Sequence, residues 1–198
     1  IGTLRVATNV NDILARTLQN GLYEVRGVHA TQSPSMDIQV SSNFERLIFE
    51  ASGRAAALGR GLMASLGQSG RFSLPGNVLD AIRADFEAGS ANETEVAATI
   101  RAAFREAGDL VDPHTAVALA VAERDHADAK TPNVVLSTAH PAKFPDAVEK
   151  ACGTRPALPV WLDGLMDRKE HITVMKNDPA AIEAFVLSAG RVAKQEVH

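Results

Sequence analysis

Three polar residues, Ser137, Thr138 and His140, directly follow a short apolar run, and Pro141 then opens a helical pattern. Polar side chains at the carboxyl end of a buried strand are where open α/β sheets usually hold ligands. Hydroxyl groups at that position can bond a ring nitrogen or a phosphate. The alternative is structural: Ser137 or Thr138 caps the following helix by accepting hydrogen bonds from its free amides. Spacing alone favours this structural alternative.

A second candidate is the run Asp112-Pro113-His114-Thr115. Asp before Pro is typical of a helix start, and the N-terminus of a helix favours an anionic ligand. A histidine there can gain or lose a proton near physiological pH. The alternative is a capping aspartate beside an ordinary surface histidine, and the run by itself favours that alternative.

A third candidate combines the run Ser33–Asp37 with Ser41, Ser42 and Asn43, which supply hydroxyls, an amide and a carboxylate around one turn and one helix start. Arg46 follows one helical turn later. Free helix amides and a guanidinium can hold a phosphate ester. Turn chemistry and a capping box of Ser42 with Glu45 explain the same residues without a ligand.

Other catalytic patterns do not occur in the sequence. The remaining histidines lack metal-ligand spacing, and the chain has no paired cysteines, no GxSxG run, no Walker loop and no glycine-rich dinucleotide fingerprint after a strand. No metal site is therefore predicted. From spacing alone, the chain is an α/β domain without an assigned reaction.

Composition limits the classes of partner. The 198 residues include 45% hydrophobic residues, and 20 basic against 24 acidic residues give a net charge of −4. The weak acidity and the lack of a basic, aromatic-rich face argue against nucleic-acid binding. No apolar run reaches the length of a membrane helix. The single cysteine, Cys152, fits a reducing compartment. The start at Ile1, almost directly before a strand pattern, predicts a truncated or processed chain.

The elements that must position these candidates are short strands separated by helices. Strands are predicted at Leu4–Thr8, Arg71–Leu74, Asn133–Leu136 and Ile172–Met175. Helices are predicted at Asp12–Asn20, from Ser42 to about Ser52, and at Arg54–Leu66, Val78–Ala88, Glu93–Ala107, Pro113–Arg124, Ala142–Cys152 and Asp178–Lys194. This alternation predicts an α/β fold with crossovers on a parallel sheet. Ala-rich helices between about 50 and 107 predict a helical insertion.

Several blocks of sequence carry a specific resemblance. They occur in order along nearly the whole chain: VATNVNDIL (6–14), HATQSPSMDIQVSSNFERLIFE (29–50), LVDPHTAVALAVA (110–122), LSTAHPAKFPDAVEKACG (136–153) and RKEHITVMKND (168–178). These blocks resemble threonine synthase of the pyridoxal-phosphate-dependent fold type II. The resemblance implies a three-layer αβα fold with residues 1–198 forming the C-terminal portion of the catalytic domain.

The resemblance implies a cytoplasmic lyase of threonine biosynthesis that converts O-phospho-L-homoserine and water to L-threonine and phosphate. Pyridoxal phosphate would serve as the electron sink. The run STAHP is similar to the element whose hydroxyl bonds the pyridine nitrogen, so Thr138 or Ser137 is expected there. The run DPHTA resembles the helix start that borders the cofactor ring, which makes His114 and Thr115 further candidates.

The remaining candidates concern the substrate. A small molecule, O-phosphohomoserine, is the expected partner, and the residues expected to hold its phosphate or carboxylate are Ser41, Ser42, Asn43 and Arg46.

The sequence departs from the family in two places. The family's Schiff-base lysine lies in a Ser-Phe-Lys-Asp type motif, and its cofactor phosphate is held by a glycine-rich loop; neither occurs in these 198 residues. Lys143 does not align with that lysine. The chain alone is therefore expected to be inactive and to self-associate through surface that truncation exposes. The alternatives are another fold type II enzyme, such as a threonine dehydratase relative, or a non-catalytic binding module derived from the fold.

Overall fold

The computed structural model describes residues 2–124 and 131–190, which divide into two compact units, 1–157 and 158–198. The first unit contains β1 (Leu4–Thr8), α1 (Ile13–Asn20), β2 (Leu22–Glu24), α2 (Phe44–Ala51), α3 (Ala56–Ser69), β3 (Arg71–Ser73), α4 (Gly76–Asp85), β4 (Phe86–Ser90), α5 (Glu93–Ala107), α6 (Pro113–Glu123) and α7 (Pro145–Cys152). Single 3₁₀ turns lie at Pro34–Met36 and Pro141–Lys143.

The two sheets of the first unit are small. β1 pairs in parallel with β4, with Leu4 opposite Phe86 and Thr8 opposite Ser90. β2 pairs antiparallel with β3, with Tyr23 opposite Phe72. The predicted strands at the start of the chain and after residue 70 are confirmed, and the parallel pair with intervening helices agrees with the predicted α/β class.

The predicted helix Val78–Ala88 is wrong in its last three residues. The helix ends at Asp85, because Phe86 adopts extended backbone angles and begins the pairing with β1. Gly89 then allows β4 to approach α6: a Cβ on Gly89 would lie 2.9 Å from Cγ1 of Val121. The segment 50–107, predicted as a helical insertion, therefore also supplies a strand to each sheet.

Two predicted strands, Asn133–Leu136 and Ile172–Met175, are wrong in this structure. Neither segment has strand hydrogen bonding, and among the described residues only β1, β2, β3 and β4 form sheets. Their apolar side chains are exposed, with Val134 at 84% and Val174 at 93% of full exposure. A strand needs a neighbour to pair its backbone, and no described strand lies beside these segments.

Two hydrophobic clusters hold the first unit together. In one, the ring of Tyr23 stacks between those of Phe44 and Phe72, at centroid distances of 5.6 and 4.7 Å. This cluster joins α1, α2, α3 and α4 around the antiparallel pair. The other packs α5, α6 and α7, and Ile100, Val117 and Val148 are fully buried in it. The second cluster fixes the start of α6, where one candidate site lies.

In the second unit, the described residues contain 3₁₀ turns at Val160–Leu162 and Leu165–Asp167 and α8 (Pro179–Ala189). Asp178 caps α8 by accepting from the N–H of Ala180 at 3.0 Å. The last predicted residues of that helix, 191–194, lie outside the described residues. None of residues 158–190 is buried, although α8 is rich in apolar side chains. Within the described ranges, no helix has the length and apolarity to cross a membrane.

Candidate functional site

The start of α6 is organised by Asp112, which is fully buried. Its Oδ2 accepts from the N–H of His114 at 2.9 Å, and its Oδ1 accepts from the N–H of Thr115 at 3.1 Å. The hydroxyl of Thr115 also donates to Oδ1. The predicted capping aspartate is thus confirmed, and it satisfies two of the amides that an isolated helix leaves free.

His114 is not the ordinary surface histidine of the structural alternative, because only 4% of it is exposed. Its Nδ1 lies 2.7 Å from Oδ2 of Asp112, and its Nε2 accepts from the N–H of Ser35 at 3.2 Å. Its ring lies 4.7 Å from the ring of Phe144, tilted by 53°. His114 therefore joins α6, the Pro34–Met36 turn and the segment that leads into α7.

Thr115 links α6 to the STAHP run. Its Oγ1 lies 3.3 Å from Oγ of Ser137, and both Ser137 and Thr138 are exposed. Neither hydroxyl caps the turn that follows. Instead, Nδ1 of His140 accepts from the N–H of Ala142 at 3.1 Å. The capping alternative for Ser137 and Thr138 is therefore wrong, and the capping role belongs to a histidine that residue preferences did not suggest.

The predicted substrate residues lie at the start of α2. Asn43 occupies the N-cap with helical backbone angles and makes no capping hydrogen bond, so the predicted capping box of Ser42 with Glu45 is wrong. Nη2 of Arg46 donates to Oδ1 of Asn43 at 2.9 Å, and both residues are exposed, as is Ser42. Among the hydrogen bonds of the described residues, none runs from Asn43 or Arg46 to Asp112 or His114.

Tyr23 fixes the position of Ser41 through a hydrogen bond. The N–H of Ser41 donates to the Tyr23 hydroxyl at 2.8 Å. Burial raises the pKa of the Tyr23 phenol above its ordinary value, and the hydrogen bond from Ser41 partly opposes that rise. The stacked aromatic ring therefore fixes the entry to α2 as well as filling the core.

A buried polar network lies between β1 and the Pro34–Met36 turn, and it includes Asn9, which was not a candidate from the sequence. Nδ2 of Asn9 lies 2.8 Å from Oδ1 of Asp37 and 3.0 Å from Oγ of Ser33. The N–H of Thr31 donates to Oδ2 of Asp37 at 2.8 Å. The signal in the sequence is a pair of asparagines, Asn9 and Asn11, two residues apart directly after a strand. Ser33 and Asp37 thus serve the turn, as the structural alternative predicts.

No group of three or more His, Cys, Asp or Glu side chains among the described residues gathers as a metal site. The polar groups of the candidate site are hydroxyls, an imidazole, a buried carboxylate and an exposed guanidinium.

Comparison with known proteins shows which family the chain resembles. A sequence model of the family "Threonine synthase, C-terminal" matches residues 115–186. The chain is 40% identical over 195 residues to threonine synthase of Pseudomonas aeruginosa, covering 98% of this chain and 42% of that protein. It is 42% identical to threonine synthase of Methylobacillus glycogenes, covering 94% of this chain and 40% of that protein.

Solved structures agree with the sequences. The pyridoxal-phosphate-bound threonine synthase from Brucella melitensis superposes with a TM-score of 0.87 at 54% identity, over 96% of this chain and 41% of that one. Threonine synthase from yeast gives a TM-score of 0.84 at 32% identity, over 98% of this chain and 43% of that one. The chain thus spans about two fifths of the length of the relatives that it matches. Both the predicted resemblance and the predicted fold class are confirmed: in sequence and in fold, this chain belongs with the C-terminal part of the threonine synthases, pyridoxal-phosphate enzymes of fold type II.

Proposed function

We propose that this chain forms one wall of the active site of a threonine synthase, whose whole protein converts O-phospho-L-homoserine and water to L-threonine and phosphate. Pyridoxal phosphate, when bound, supplies the electron sink for that chemistry. The cofactor-bound Brucella melitensis threonine synthase, at 54% identity, supports the proposal. The residues of this chain would bind and orient the cofactor rather than link it covalently.

The observation that carries the proposal is the chain of hydroxyls from Asp112 to Ser137. A hydroxyl has one proton, and that of Thr115 points to the Asp112 carboxylate. The longer, 3.3 Å contact has Oγ of Ser137 as a second acceptor of that hydroxyl. Ser137 is thereby tied to the start of α6, and we assign it the role of holding the segment in place.

Thr138 is the hydroxyl that we assign to the pyridine nitrogen. It is exposed, and no hydrogen bond among the described residues uses its side chain. A neutral hydroxyl donates its proton in a hydrogen bond and leaves an unprotonated ring nitrogen, unlike a carboxylate partner. The donor set of this wall therefore fits a pyridine ring. We assign Thr138 as its partner, with Ser137, His114 and Thr115 bordering it.

The start of α2 suits the phosphate or carboxylate of the substrate. The exposed guanidinium of Arg46 can form paired hydrogen bonds with such a group. Asn43 makes no side-chain bond to the first-turn amides, and the positive end of the helix dipole favours an anion there. Ser41 and Ser42 add hydroxyls at the same place, so all four residues are proposed as substrate contacts.

Covalent attachment of the cofactor requires a lysine from elsewhere in the whole protein. In this chain, Nζ of Lys143 lies 5.9 Å from the centroid of the Phe144 ring and is exposed. Lys143 does not align with the family's linking lysine. We therefore propose that the 198 residues alone are inactive and bind pyridoxal phosphate weakly or not at all.

We further propose a cytoplasmic protein whose isolated 198-residue chain self-associates. Trp161 is 82% exposed, and Val160 and Val174 are exposed as well. Large apolar side chains left in water favour association. The half-buried, unpaired Cys152 is consistent with a reducing compartment. Light scattering of the chain over a range of concentrations measures association directly, and a monomer at every concentration would refute that part of the proposal.

The function is tested on the intact protein that carries this chain. Purified with its cofactor, it should release phosphate from O-phosphohomoserine and form threonine. Conversion of threonine to 2-oxobutyrate without phosphate release would instead support a dehydratase. Failure of both reactions in a cofactor-loaded protein would support a non-catalytic binding module.

A further inference from the structure

Both ring nitrogens of His114 are engaged, which limits what this residue can do. We infer that His114 is a positioning residue: Asp112 fixes it as the neutral imidazole that carries its proton on Nδ1, and in this form it holds the backbone of Ser35 against the start of α6. The inference deepens the proposed function, because Ser35 leads into the segment with the substrate residues.

The hydrogen-bond partners select one form of the ring. Oδ2 of Asp112 lies 2.7 Å from Nδ1, and an ionised carboxylate oxygen can only accept, so Nδ1 carries a proton. Nε2 faces the N–H of Ser35 at 3.2 Å, so Nε2 must offer its lone pair. If Nε2 carried a proton, alone or in the doubly protonated ring, its N–H would face the N–H of Ser35, and two donors would oppose each other.

The carboxylate that orients the ring is itself held firmly. Asp112 accepts from the backbone N–H and the Nδ1 of His114, and from the backbone N–H and the hydroxyl of Thr115. Four donors around one buried carboxylate leave it a single orientation. The ring of Phe144 packs on the imidazole at 4.7 Å and further limits its rotation.

The turn that His114 holds is anchored from its other side as well. Pro34–Met36 closes with hydrogen bonds from the N–H of Met36 to the carbonyl of Ser33 and from the N–H of Asp37 to the carbonyl of Pro34. Ser33 and Asp37 form hydrogen bonds with Asn9, which directly follows β1. Without an acceptor at Nε2, the turn would stay tied to Asn9 but lose its bond to α6.

This connection joins the two segments that carry the candidate site residues. The turn at residues 34–36 continues into Ser41 and α2, whereas His114 is rigidly part of the helix start that carries Thr115. The hydrogen bond from Ser35 to His114 is the described bond that joins the two segments. His114 therefore acts on substrate binding through Ser35 and not by touching the substrate.

The ring form is measured on the unmodified chain by long-range ¹H–¹⁵N correlation of the histidine side chains. His114 should show a protonated Nδ1 and an unprotonated Nε2. His140 is an internal contrast, because its Nδ1 accepts from the N–H of Ala142 and its proton should sit on Nε2 when the ring is neutral. A proton on Nε2 of His114 near neutral pH would overturn the inference without any variant being made.

Two substitutions test the positioning role. His114→Asn keeps a donor near Asp112 but has no group at the Nε2 position, whereas His114→Gln can place an amide oxygen there. Amide exchange at Ser35 should accelerate about tenfold in H114N, as expected for the loss of one hydrogen bond, and return towards the wild-type rate in H114Q. His29→Gln, at an exposed histidine, should leave it unchanged. Equal exchange in H114N and wild type would overturn the inference.

The same variants in the intact enzyme should separate substrate binding from chemistry. The KM for O-phosphohomoserine should rise in H114N with a smaller change in kcat, and H114Q should recover most of it. An unchanged KM in H114N would refute the link to the substrate segment. Inactive wild-type enzyme would refute the proposed function instead, while the ring-nitrogen measurement would still decide the form of His114.

Discussion

The hydroxyl of Ser137 lies 3.3 Å from that of Thr115, and this contact ties an exposed segment to the buried start of α6. In both of its side-chain contacts the Thr115 hydroxyl is the donor, to Oδ1 of Asp112 and to Oγ of Ser137. We propose the neighbouring Thr138, whose side chain makes no hydrogen bond among the described residues, as the group that is free for a ligand.

Thr138→Val in the intact enzyme should weaken cofactor binding about tenfold, since it removes one hydrogen bond at constant side-chain volume. Thr138→Ser should restore most of the affinity. The matched substitution Ser137→Ala should have a smaller effect, because Ser137 holds the segment and does not contact the ring. Titration with pyridoxal phosphate measures all three, and a larger loss in S137A than in T138V would reverse the assignment.

Gly89→Ala should destabilise the chain by about 1–3 kcal/mol, because the added methyl would meet Cγ1 of Val121 at 2.9 Å. Val121→Ala in the same chain should recover part of that loss. Gly67→Ala is the control: it lies within α3 with no atom near the added methyl, so it should stabilise by about 0.5–1 kcal/mol. Urea unfolding gives the free energies, and equal effects at both glycines would contradict the packing described for β4 and α6.

Tyr23→Phe should cost about 1 kcal/mol at neutral pH, because the N–H of Ser41 loses its acceptor. The pKa of Tyr23 is raised in the fold above its ordinary 10.0 by burial. The unfolded chain therefore loses this proton first, and the stability that the neutral phenol contributes is present below pH 10 and declines as the pH rises further.

Unfolding experiments below and above pH 10 separate these two effects. Wild type should lose stability more steeply than Y23F in the alkaline range, so the difference between them narrows there. If the free energies of unfolding of the two proteins changed with pH in parallel, the Tyr23 phenol would have the same pKa in the folded and unfolded chain, which would contradict the effect of its burial.

Local sequence signals predicted the helix starts and ends that are determined by residues adjacent in the sequence. Asp112 before Pro113 marked the start of α6, and Gly21 after α1 adopts the left-handed backbone that ends a helix, with φ of 77°. β4 was missed because Phe86 continues a helical pattern and leaves it only through pairing with Leu4, 82 residues earlier. Partners distant in the sequence decide such a change.

The candidate site also combines features that the sequence shows directly with features that depend on residues far apart in the sequence. The residue types around His114 were visible in the sequence, but its burial and its bond from Ser35, 79 residues away, were not. The strands expected at Asn133–Leu136 and Ile172–Met175 have the right composition but no described neighbour to pair with. Residue propensity favours a strand in such segments, but the strand forms only where a neighbouring strand pairs with its backbone.

We propose that this chain is the cofactor-orienting wall of a threonine synthase site whose linking lysine lies elsewhere. Borohydride reduction of the intact, cofactor-loaded protein, followed by peptide mass spectrometry, tests it most directly. We expect a reduced cofactor adduct on a lysine outside these 198 residues, and no adduct when the 198-residue chain is treated alone. A stoichiometric adduct on Lys143 or any other lysine of this chain would contradict it.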